Sequence, residues 1–381
     1  MQVVGVLGAG AMGTGIAQVA LAHGHPVVLV DNDPGALARA KENIERSMLR
    51  EVERGRFPAG KPYTLDLSEG FESLERCAIV IEAIVERIDA KHQAFKRLSE
   101  IVANDCVLAT NTSSLSIAAI ASAATQPERV LGVHFFNPAP ILPLVEIVPW
   151  LGTAANVASE TRALVDTWKK TTVVASDTPG FIVNRVARPF YGEALRIADE
   201  GIADFSTIDA AMRELGGFRM GPFELMDFIG LDVNLAVTRS IFEALGFDPR
   251  YRPSLTQQRL VDAGMLGRKT KQGFFDYRNG AREPEPLIDR AVGERIFDRM
   301  LSMLINEAID AVHWRVANPA DIDLAVTKGV NYPKGLLAWG DERGLDHVLK
   351  ALVALQEEYG EDRYRPSVLL KRMVRDGGRF T

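Results

Sequence analysis

Cysteine and histidine are both scarce in this sequence. The two cysteines, Cys77 and Cys106, lie in apolar runs that predict strands, and they lack the spacing of a zinc site or of a disulfide framework. We therefore interpret both as core residues of a protein in a reducing compartment. None of the six histidines has the spacing of a metal site, so no metal is expected.

Long apolar runs and excess positive charge are missing too. No apolar stretch approaches the roughly 18 residues of a membrane span, and a net charge of −6 argues against a nucleic-acid surface. We expect neither a membrane nor a nucleic acid as a partner. The first apolar run begins at Val3, which leaves no room for a signal or transit peptide and predicts a cytoplasmic location. A length of 381 residues predicts two or three domains.

The most informative stretch lies at the beginning of the chain. The apolar run 3–7 predicts a buried parallel strand, and Gly8-Ala9-Gly10-Ala11-Met12-Gly13 then turns the chain into a helix that ends near Ala22. A second apolar strand, 27–30, ends at Asp31, which lies 18 residues beyond Gly13. This order of strand, glycine-rich turn, helix and acidic residue is typical of a dinucleotide site. The glycine pattern alone would also fit an ordinary strand-to-helix turn.

Each glycine has its own role in such a site. Gly8 permits the tight turn, Gly10 lets the backbone approach a pyrophosphate, and Gly13 keeps the helix close to the sheet. The free N–H groups at the start of the helix, which include those of Ala11 and Met12, face the phosphates. The carboxylate of Asp31 can accept hydrogen bonds from the adenine-ribose hydroxyls. Because no arginine stands beside it in the sequence, NAD is favoured over NADP.

Strands and helices then alternate up to about residue 175. The predicted elements are helices over 34–55, 90–102, 117–124 and 155–169 and strands over 77–85, 107–109, 130–133, 144–148 and 172–175. The fold class is therefore α/β, with a mostly parallel, doubly wound Rossmann sheet over 1–178. Only ten residues separate the strands 130–133 and 144–148, too few for a helical crossover, so the sheet should stop being purely parallel there. We interpret Ser114 as the cap of the helix 117–124.

Helical periodicity replaces this alternation after Asp177-Thr178-Pro179-Gly180, with one further strand predicted over 273–277. The charged, proline-containing stretch 282–286 is typical of a linker. We predict two tandem all-α domains, over 179–280 and 291–376.

The two helical domains repeat one another. Glu193 recurs as Glu307, 114 residues further on, and the same offset relates four other positions or groups. These are Ile208-Asp209 with Ile322-Asp323, Gly221 with Gly335, Asp227 with Asp341, and Gly230-Leu231-Asp232 with Gly344-Leu345-Asp346. This series indicates an internal duplication.

His134 differs from the other histidines by its position. It ends a central strand, at the sheet edge towards which a bound nicotinamide would project, so it is a candidate base, although a lone histidine is more often structural. Glu146 lies within an otherwise apolar strand, where a buried carboxylate needs a partner, and His134 is in reach if the two strands are neighbours. Such a pair would orient the imidazole and stabilise its protonated form, or would be a structural ion pair only.

Taken together, several motifs resemble the 3-hydroxyacyl-CoA dehydrogenases. The resemblance rests on Gly8-Ala9-Gly10-Ala11-Met12-Gly13, Asn111-Thr112-Ser113-Ser114, His134-Phe135-Phe136-Asn137-Pro138, Val145-Glu146, Pro179-Gly180-Phe181-Ile182-Val183-Asn184-Arg185 and Met220-Gly221-Pro222-Phe223. It implies that His134 is the general base and Glu146 its orienting partner. Ser113 and Asn184 would hold the C3 oxygen and thioester region of the substrate.

The same resemblance implies the ligand contacts. NAD would contact Asp31, Glu86, Lys91, Ser113, Asn137 and Lys269 in addition to the glycine-rich turn. Coenzyme A would contact Ser47 and Arg54, near the end of a helix whose Arg46, Arg50 and Arg56 are otherwise simply a solvated face. In single-copy relatives the helical domain is the usual dimerisation surface. A homodimer, or a pseudo-dimer of the two copies within one chain, is therefore expected.

The implied reaction is NAD-dependent oxidation of an (S)-3-hydroxyacyl-CoA to a 3-oxoacyl-CoA. The duplication and the stretch 183–189 are similar to those of the dehydrogenases of phenylacetate breakdown and their 3-hydroxybutyryl-CoA relatives, so a 3-hydroxybutyryl or 3-hydroxyadipyl group is expected. Two alternatives are a dehydrogenase of the same fold that acts on a free hydroxy or sugar acid, and a catalytically idle NAD-binding structural protein.

Overall fold

The computed structural model describes residues 1–60, 62–281, 285–286 and 289–380. These form two compact units, Met1–Phe181 and Ile182–Thr381. Both predicted helical domains fall in the second unit, apart from the first three residues of the domain 179–280. The predicted domain bounds stay a prediction. No helix in the described part of the chain has the length and apolar character needed to cross a membrane.

The first unit is built on a single mixed sheet. Its strands are β1 Val4–Leu7, β2 Val27–Val30, β3 Leu65–Ser68, β4 Ile79–Glu82, β5 Val107–Thr110, β6 Val130–Phe135, β7 Leu144–Val148 and β8 Thr171–Val174. The strand order is β3-β2-β1-β4-β5-β6-β7-β8, and every pairing is parallel except that of β6 with β7. The predicted departure from a parallel sheet is therefore confirmed. The order reverses between β1 and β4, which is where ligands bind in sheets of this kind.

Helices connect most of these strands. They are α1 Ala11–Ala22, α2 Pro34–Glu53, α3 Ile88–Ile101, α4 Ile117–Ala121 and α5 Ala155–Thr167. All residues of β1, β2 and β4 are buried, as expected of strands covered on both faces. Asp33 caps α2 by accepting a hydrogen bond from the N–H of Gly35, with Pro34 at the first helical position.

Three sequence predictions for this unit need correction. The strand β3 was not predicted, because its residues are only half-buried and give no continuous apolar run. The strand predicted over 77–85 is limited to β4. The cap of α4 is Ser116, whose side chain accepts from the N–H of Ala119, and the hydroxyl of Ser114 instead points to Glu86.

The second unit is helical. Its helices are α6 Val183–Val186, α7 Arg188–Asp199, α8 Phe205–Gly216, α9 Pro222–Ile229, α10 Leu231–Ala244, α11 Leu255–Asp262, α12 Arg290–His313, α13 Pro319–Gly329, α14 Leu336–Arg343, α15 Leu345–Tyr359 and α16 Val368–Asp376. The buried helix α12 packs against α7, α8, α14, α15 and α16. In the first copy the corresponding stretch is divided into α6 and α7, because Pro189 cannot donate a backbone hydrogen bond, whereas the second copy has Met303 there.

The strand predicted over 273–277 is wrong. This segment makes isolated bridges only, and the N–H groups of Phe274 and Phe275 donate to the carboxylate of Asp227. Its apolar pattern reflects packing of Phe274 against Phe223 and Phe205 rather than strand pairing. The predicted linker 282–286 lies mostly outside the described residues.

The duplication is visible in matching contacts. Asp209 accepts hydrogen bonds from the N–H groups of Phe223 and Glu224 at the start of α9, and Asp323 accepts from Leu337 and Ala338 at the start of α14. Burial raises the pKa of Asp209 to about 7, and it also raises the pKa of Asp323.

A buried ionic network joins the two copies within the second unit. Arg299 donates to Glu193 at 2.6 Å, as does the hydroxyl of Tyr364 at 2.7 Å. In the other direction, Arg185 donates to Glu307 at 2.9 Å, and the hydroxyl of Tyr251 bonds to the same carboxylate. The two halves of the network are not identical. Arg196 pairs with Glu193 at 3.0 Å, but the residue that corresponds to Arg196 in the second copy is Asp310, which pairs with Arg250. The two copies therefore meet in a nearly two-fold arrangement.

Candidate active site and cofactor site

The glycine-rich turn connects β1 to α1. Gly8 has a φ of +108°, and a Cβ on it would lie 2.6 Å from the carbonyl oxygen of Ala83. A Cβ on Gly13 would lie 1.8 Å from the carbonyl oxygen of Gly8. At Gly10, by contrast, a Cβ would meet no heavy atom of the described chain within 4 Å. Gly8 and Gly13 are thus required by the fold itself, whereas the space at Gly10 fits the approach of a pyrophosphate.

Asp31 follows β2 and lies beside this turn. One carboxylate oxygen accepts from the N–H of Ala9 at 2.6 Å, and the other accepts from the N–H of Asp33 at 2.9 Å. These two bonds fix the carboxylate next to the start of α1, at the end of the strand where a dinucleotide-binding fold holds the adenine ribose.

His134 and Glu146 form a buried pair. The antiparallel register of β6 and β7 places the two residues directly opposite one another, and Nδ1 of His134 lies 2.6 Å from Oε2 of Glu146. The histidine is 5% exposed and the glutamate is fully buried. Because a carboxylate only accepts, Nδ1 donates and Nε2 is left as the acceptor. The rings of Phe136 and Phe181 lie 4.6 and 5.7 Å from the imidazole.

Glu86 gathers several of the other predicted residues. Its Oε1 accepts from the hydroxyl of Thr112 at 2.6 Å and from the N–H of Ser113 at 2.9 Å, and its Oε2 lies 3.3 Å from Nζ of Lys91. Burial opposes the ionisation of Glu86, but the charge of Lys91 and the bond from Thr112 outweigh it and hold its pKa below the usual value. The structure thus brings Glu86, Lys91 and Ser113 together.

A cleft of about 1050 Å³ lies along α2 and the glycine-rich turn. Both predicted coenzyme A residues, Ser47 and Arg54, line it, and so does Asn137. Arginines 39, 46, 50 and 56 also line this cleft. A cleft with this many guanidinium groups favours a phosphorylated ligand.

Asn184 and Lys269 belong to the second unit. Asn184 lies in α6, where its carbonyl oxygen accepts from Nε of Arg188 at 2.8 Å. Lys269 donates to both carboxylate oxygens of Asp232, at 2.6 and 2.7 Å. Burial of Asp232 is outweighed by these bonds, and the pKa of that carboxyl is lowered.

Sequence reasoning missed two charged residues near the site. Glu82 is fully buried at the end of β4 and bonds to Lys91 at 2.7 Å. The signal was available, since Glu82 is an acidic residue in an apolar strand, as Glu146 is. Lys170 donates to the carbonyl oxygens of Ala139 and Leu142 and so anchors the loop after Asn137; burial lowers the pKa of Lys170 to about 8.

Comparisons with known proteins identify the family of both parts of the chain. The 3-hydroxyacyl-CoA dehydrogenase NAD binding domain matches residues 3–178, and the C-terminal domain of the same family matches twice, over 180–277 and 296–380. The 3-hydroxyadipyl-CoA dehydrogenase of Escherichia coli K12 is 38% identical over 98% of this chain and 97% of its own length. The human mitochondrial hydroxyacyl-coenzyme A dehydrogenase is 41% identical over 72% of this chain and 91% of its own.

A solved structure is similar over the whole chain. The crystal structure of 3-hydroxybutyryl-CoA dehydrogenase from Escherichia coli K12 superimposes with a TM-score of 0.92 at 37% identity, and 98% of each chain is covered. The resemblance inferred from the motifs and the predicted Rossmann fold with helical C-terminal domains are both confirmed. This chain belongs to the 3-hydroxyacyl-CoA dehydrogenase family and is an oxidoreductase that uses an NAD-type cofactor.

Proposed function

We propose that this protein oxidises (S)-3-hydroxyacyl-CoA thioesters to 3-oxoacyl-CoA with NAD. The observation that carries the proposal is the buried His134–Glu146 pair, joined at 2.6 Å across two neighbouring strands of a dinucleotide-binding sheet. Family membership supports the substrate class.

His134 is the general base in this proposal. NAD supplies the acceptor for the hydride that leaves C3 of the substrate. Nε2 of His134 takes the proton of the C3 hydroxyl, because Nδ1 already donates to Glu146. The carboxylate of Glu146 stabilises the imidazolium that results. Ser113 and Asn184 hold the C3 oxygen and the thioester region.

NAD rather than NADP is the proposed cofactor. The carboxylate of Asp31 stands where the adenine ribose binds and would repel a 2′-phosphate. Other proposed contacts are the backbone of the turn 8–13 and the side chains of Glu86, Lys91, Ser113, Asn137 and Lys269. To reach a ligand, Lys269 has to share or leave its ion pair with Asp232.

Coenzyme A is proposed to bind in the arginine-lined cleft. Ser47 of α2 and Arg54, which follows the end of α2, both line this cleft together with Ala9 and Gly10 of the glycine-rich turn. Its guanidinium groups suit the phosphates of coenzyme A, which a free hydroxy acid does not have. This observation favours a CoA thioester over a free hydroxy or sugar acid.

The acyl group is proposed to be short. Two of the similar proteins named above are a 3-hydroxyadipyl-CoA and a 3-hydroxybutyryl-CoA dehydrogenase. At least one of the two thioesters should be oxidised, and the ratio of their kcat/KM values would show which one the protein prefers.

The test follows NADH absorbance with (S)-3-hydroxybutyryl-CoA and with 3-hydroxyadipyl-CoA, with His134→Gln as the control. We expect turnover with at least one thioester, competitive inhibition by free coenzyme A, and a loss of about 10²- to 10⁴-fold in His134→Gln with NADH binding retained. Silence with both thioesters, in a protein that binds NADH, would favour the idle structural protein. Turnover of a free hydroxy acid without inhibition by coenzyme A would favour the hydroxy-acid dehydrogenase.

We also propose that the second helical copy substitutes for a partner subunit. The reciprocal Arg299–Glu193 and Arg185–Glu307 bonds have the form of an isologous dimer contact within one chain. Light scattering after size exclusion should then show an active monomer. An enzyme that is active only as a dimer would contradict this role.

A further inference from the structure

Glu82 has a position that the proposed mechanism does not use. It is the last residue of β4, it is fully buried, and the rest of the strand is Ile79, Val80 and Ile81. In the sheet it lies opposite Leu7, the residue before the glycine-rich turn, and opposite Thr110 on β5. Its carboxylate is therefore at the centre of the sheet, at the level where the turn begins.

Both oxygens of this carboxylate are engaged. Oε1 accepts from Nζ of Lys91 and from the N–H of Ile84, each at 2.7 Å. Oε2 accepts from the hydroxyl of Thr110, also at 2.7 Å. Glu82 thus ties together α3, the loop that follows β4, and the end of β5.

The bonds continue from Lys91 towards the surface of the site. Lys91 is 1% exposed, and its ammonium lies between Glu82 and Glu86. Glu86 in turn accepts from the N–H of Ser113 at 2.9 Å and from its hydroxyl at 3.2 Å. An unbroken series of charged and polar contacts therefore runs from the sheet interior to three residues proposed to bind the cofactor.

Stability alone is a weak reason for such an arrangement. A buried ion pair recovers little more than the desolvation of its own charges, and apolar side chains of similar size are often at least as stable. What the pair does provide is a fixed position for the Lys91 ammonium. Without Glu82, the ammonium would be left with Glu86 and would compete with Thr112 and Ser113 for that carboxylate.

We propose that Glu82 is a positioning residue for the cofactor site. It holds Lys91 in place and, through Lys91, sets the geometry of Glu86 and Ser113 around the nicotinamide end of the cofactor. The inference rests on the proposed function, because the contacts of Lys91, Glu86 and Ser113 with NAD are part of that proposal.

The test uses Glu82→Gln in the full-length protein, with NADH affinity measured by NADH fluorescence. Glutamine keeps the shape of the side chain, its carbonyl oxygen can still accept from Lys91 and Ile84, and its amide can donate to Thr110. We expect the variant to fold, the dissociation constant for NADH to rise about tenfold, and the KM for the acyl-CoA to stay within about twofold. Asp166→Asn removes the charge of a carboxylate on α5 that accepts from the Thr172 hydroxyl; it is the control and should leave NADH affinity unchanged.

A double-mutant cycle separates positioning from general destabilisation. If Glu82 acts through Lys91, Glu82→Gln should weaken NADH binding no further in a Lys91→Gln background. Unchanged NADH affinity in Glu82→Gln, or effects of the two substitutions that add in full, would overturn the inference. Because the readout is NADH binding, wild-type protein that oxidises neither thioester would refute the proposed reaction while this cycle still decides the role of Glu82.

Discussion

Replacing Glu146 with glutamine removes the negative charge beside His134 and keeps an oxygen that accepts from Nδ1. The tautomer of the imidazole is thus preserved, and the variant measures the charge alone. When His134 takes a proton, two opposite charges about 4 Å apart interact by roughly 4 kcal/mol at an effective dielectric constant of about 20. Both side chains are buried, so solvent screens this interaction little. Loss of roughly 4 kcal/mol corresponds to a fall of about a thousandfold in kcat.

The assay is NADH formation with saturating cofactor, accompanied by the dissociation constant for NADH. Glu146→Gln should lower kcat while NADH affinity stays close to that of wild type. Because the two residues act as one unit, Glu146→Gln should cost little further activity in a His134→Gln background. If Glu146→Gln retained a tenth or more of the wild-type kcat, or if the two effects were additive, the pair would be structural and His134 would not depend on Glu146.

Three further predictions concern other parts of the chain. Gly10→Ala should weaken NADH binding and leave the melting temperature unchanged. Gly13→Ala should lower the melting temperature, because its Cβ would lie 1.8 Å from the carbonyl oxygen of Gly8. Equal melting temperatures of the two variants would contradict this prediction. Arg54→Glu should raise the KM for the acyl-CoA about tenfold at low salt and less at high salt, while the exposed control Arg290→Glu should leave it unchanged. Glu193 has its pKa lowered from 4.5 to about 2, because Arg196 and Arg299 outweigh the cost of burial, so its stabilisation is complete above about pH 4.5 and is lost as the pH falls towards 2. The free energy of unfolding of Glu193→Gln should therefore be about 3 kcal/mol lower than that of wild type at neutral pH, and this difference should shrink as the pH falls. A difference that does not depend on pH would contradict the lowered pKa of Glu193.

Much of the first unit could be predicted from sequence because its signals are local. Apolar runs identify β1 and β2, and the short connection before β7 indicates that β7 pairs antiparallel with β6. The strand β3 could not be predicted, because an edge strand of four half-buried residues has no distinctive pattern of apolar residues. The segment 273–277 has the apolar pattern of a strand although it forms isolated bridges only, because its aromatic residues pack next to Asp227.

The candidate site was predictable to the extent that its partners follow from strand order. His134 and Glu146 meet because β6 and β7 are antiparallel neighbours joined by a short connection, which the sequence predicts. The bonds of Glu86 and Lys91 with Glu82 could not be predicted in the same way, because they depend on how the loops after β4 and β5 fold over the sheet edge. An acidic residue in an apolar strand is a general signal for a buried partner, and applying it to β4 as well as β7 would have identified Glu82.

The mismatch between Arg196 and Asp310 shows what fusing two copies into one chain allows. In a symmetric dimer each contact between two different residues occurs twice, so a substitution changes both occurrences at once. Here the two sides are encoded separately, and the carboxylate of Glu193 has an arginine beside it where Glu307 has an aspartate and recruits Arg250 instead. A single substitution can therefore change one half of the contact alone, whereas in a homodimer the same substitution would change both halves. The second copy, which has Asp298 at the position of Asn184, can thus change while the first copy keeps the residue proposed to hold the substrate.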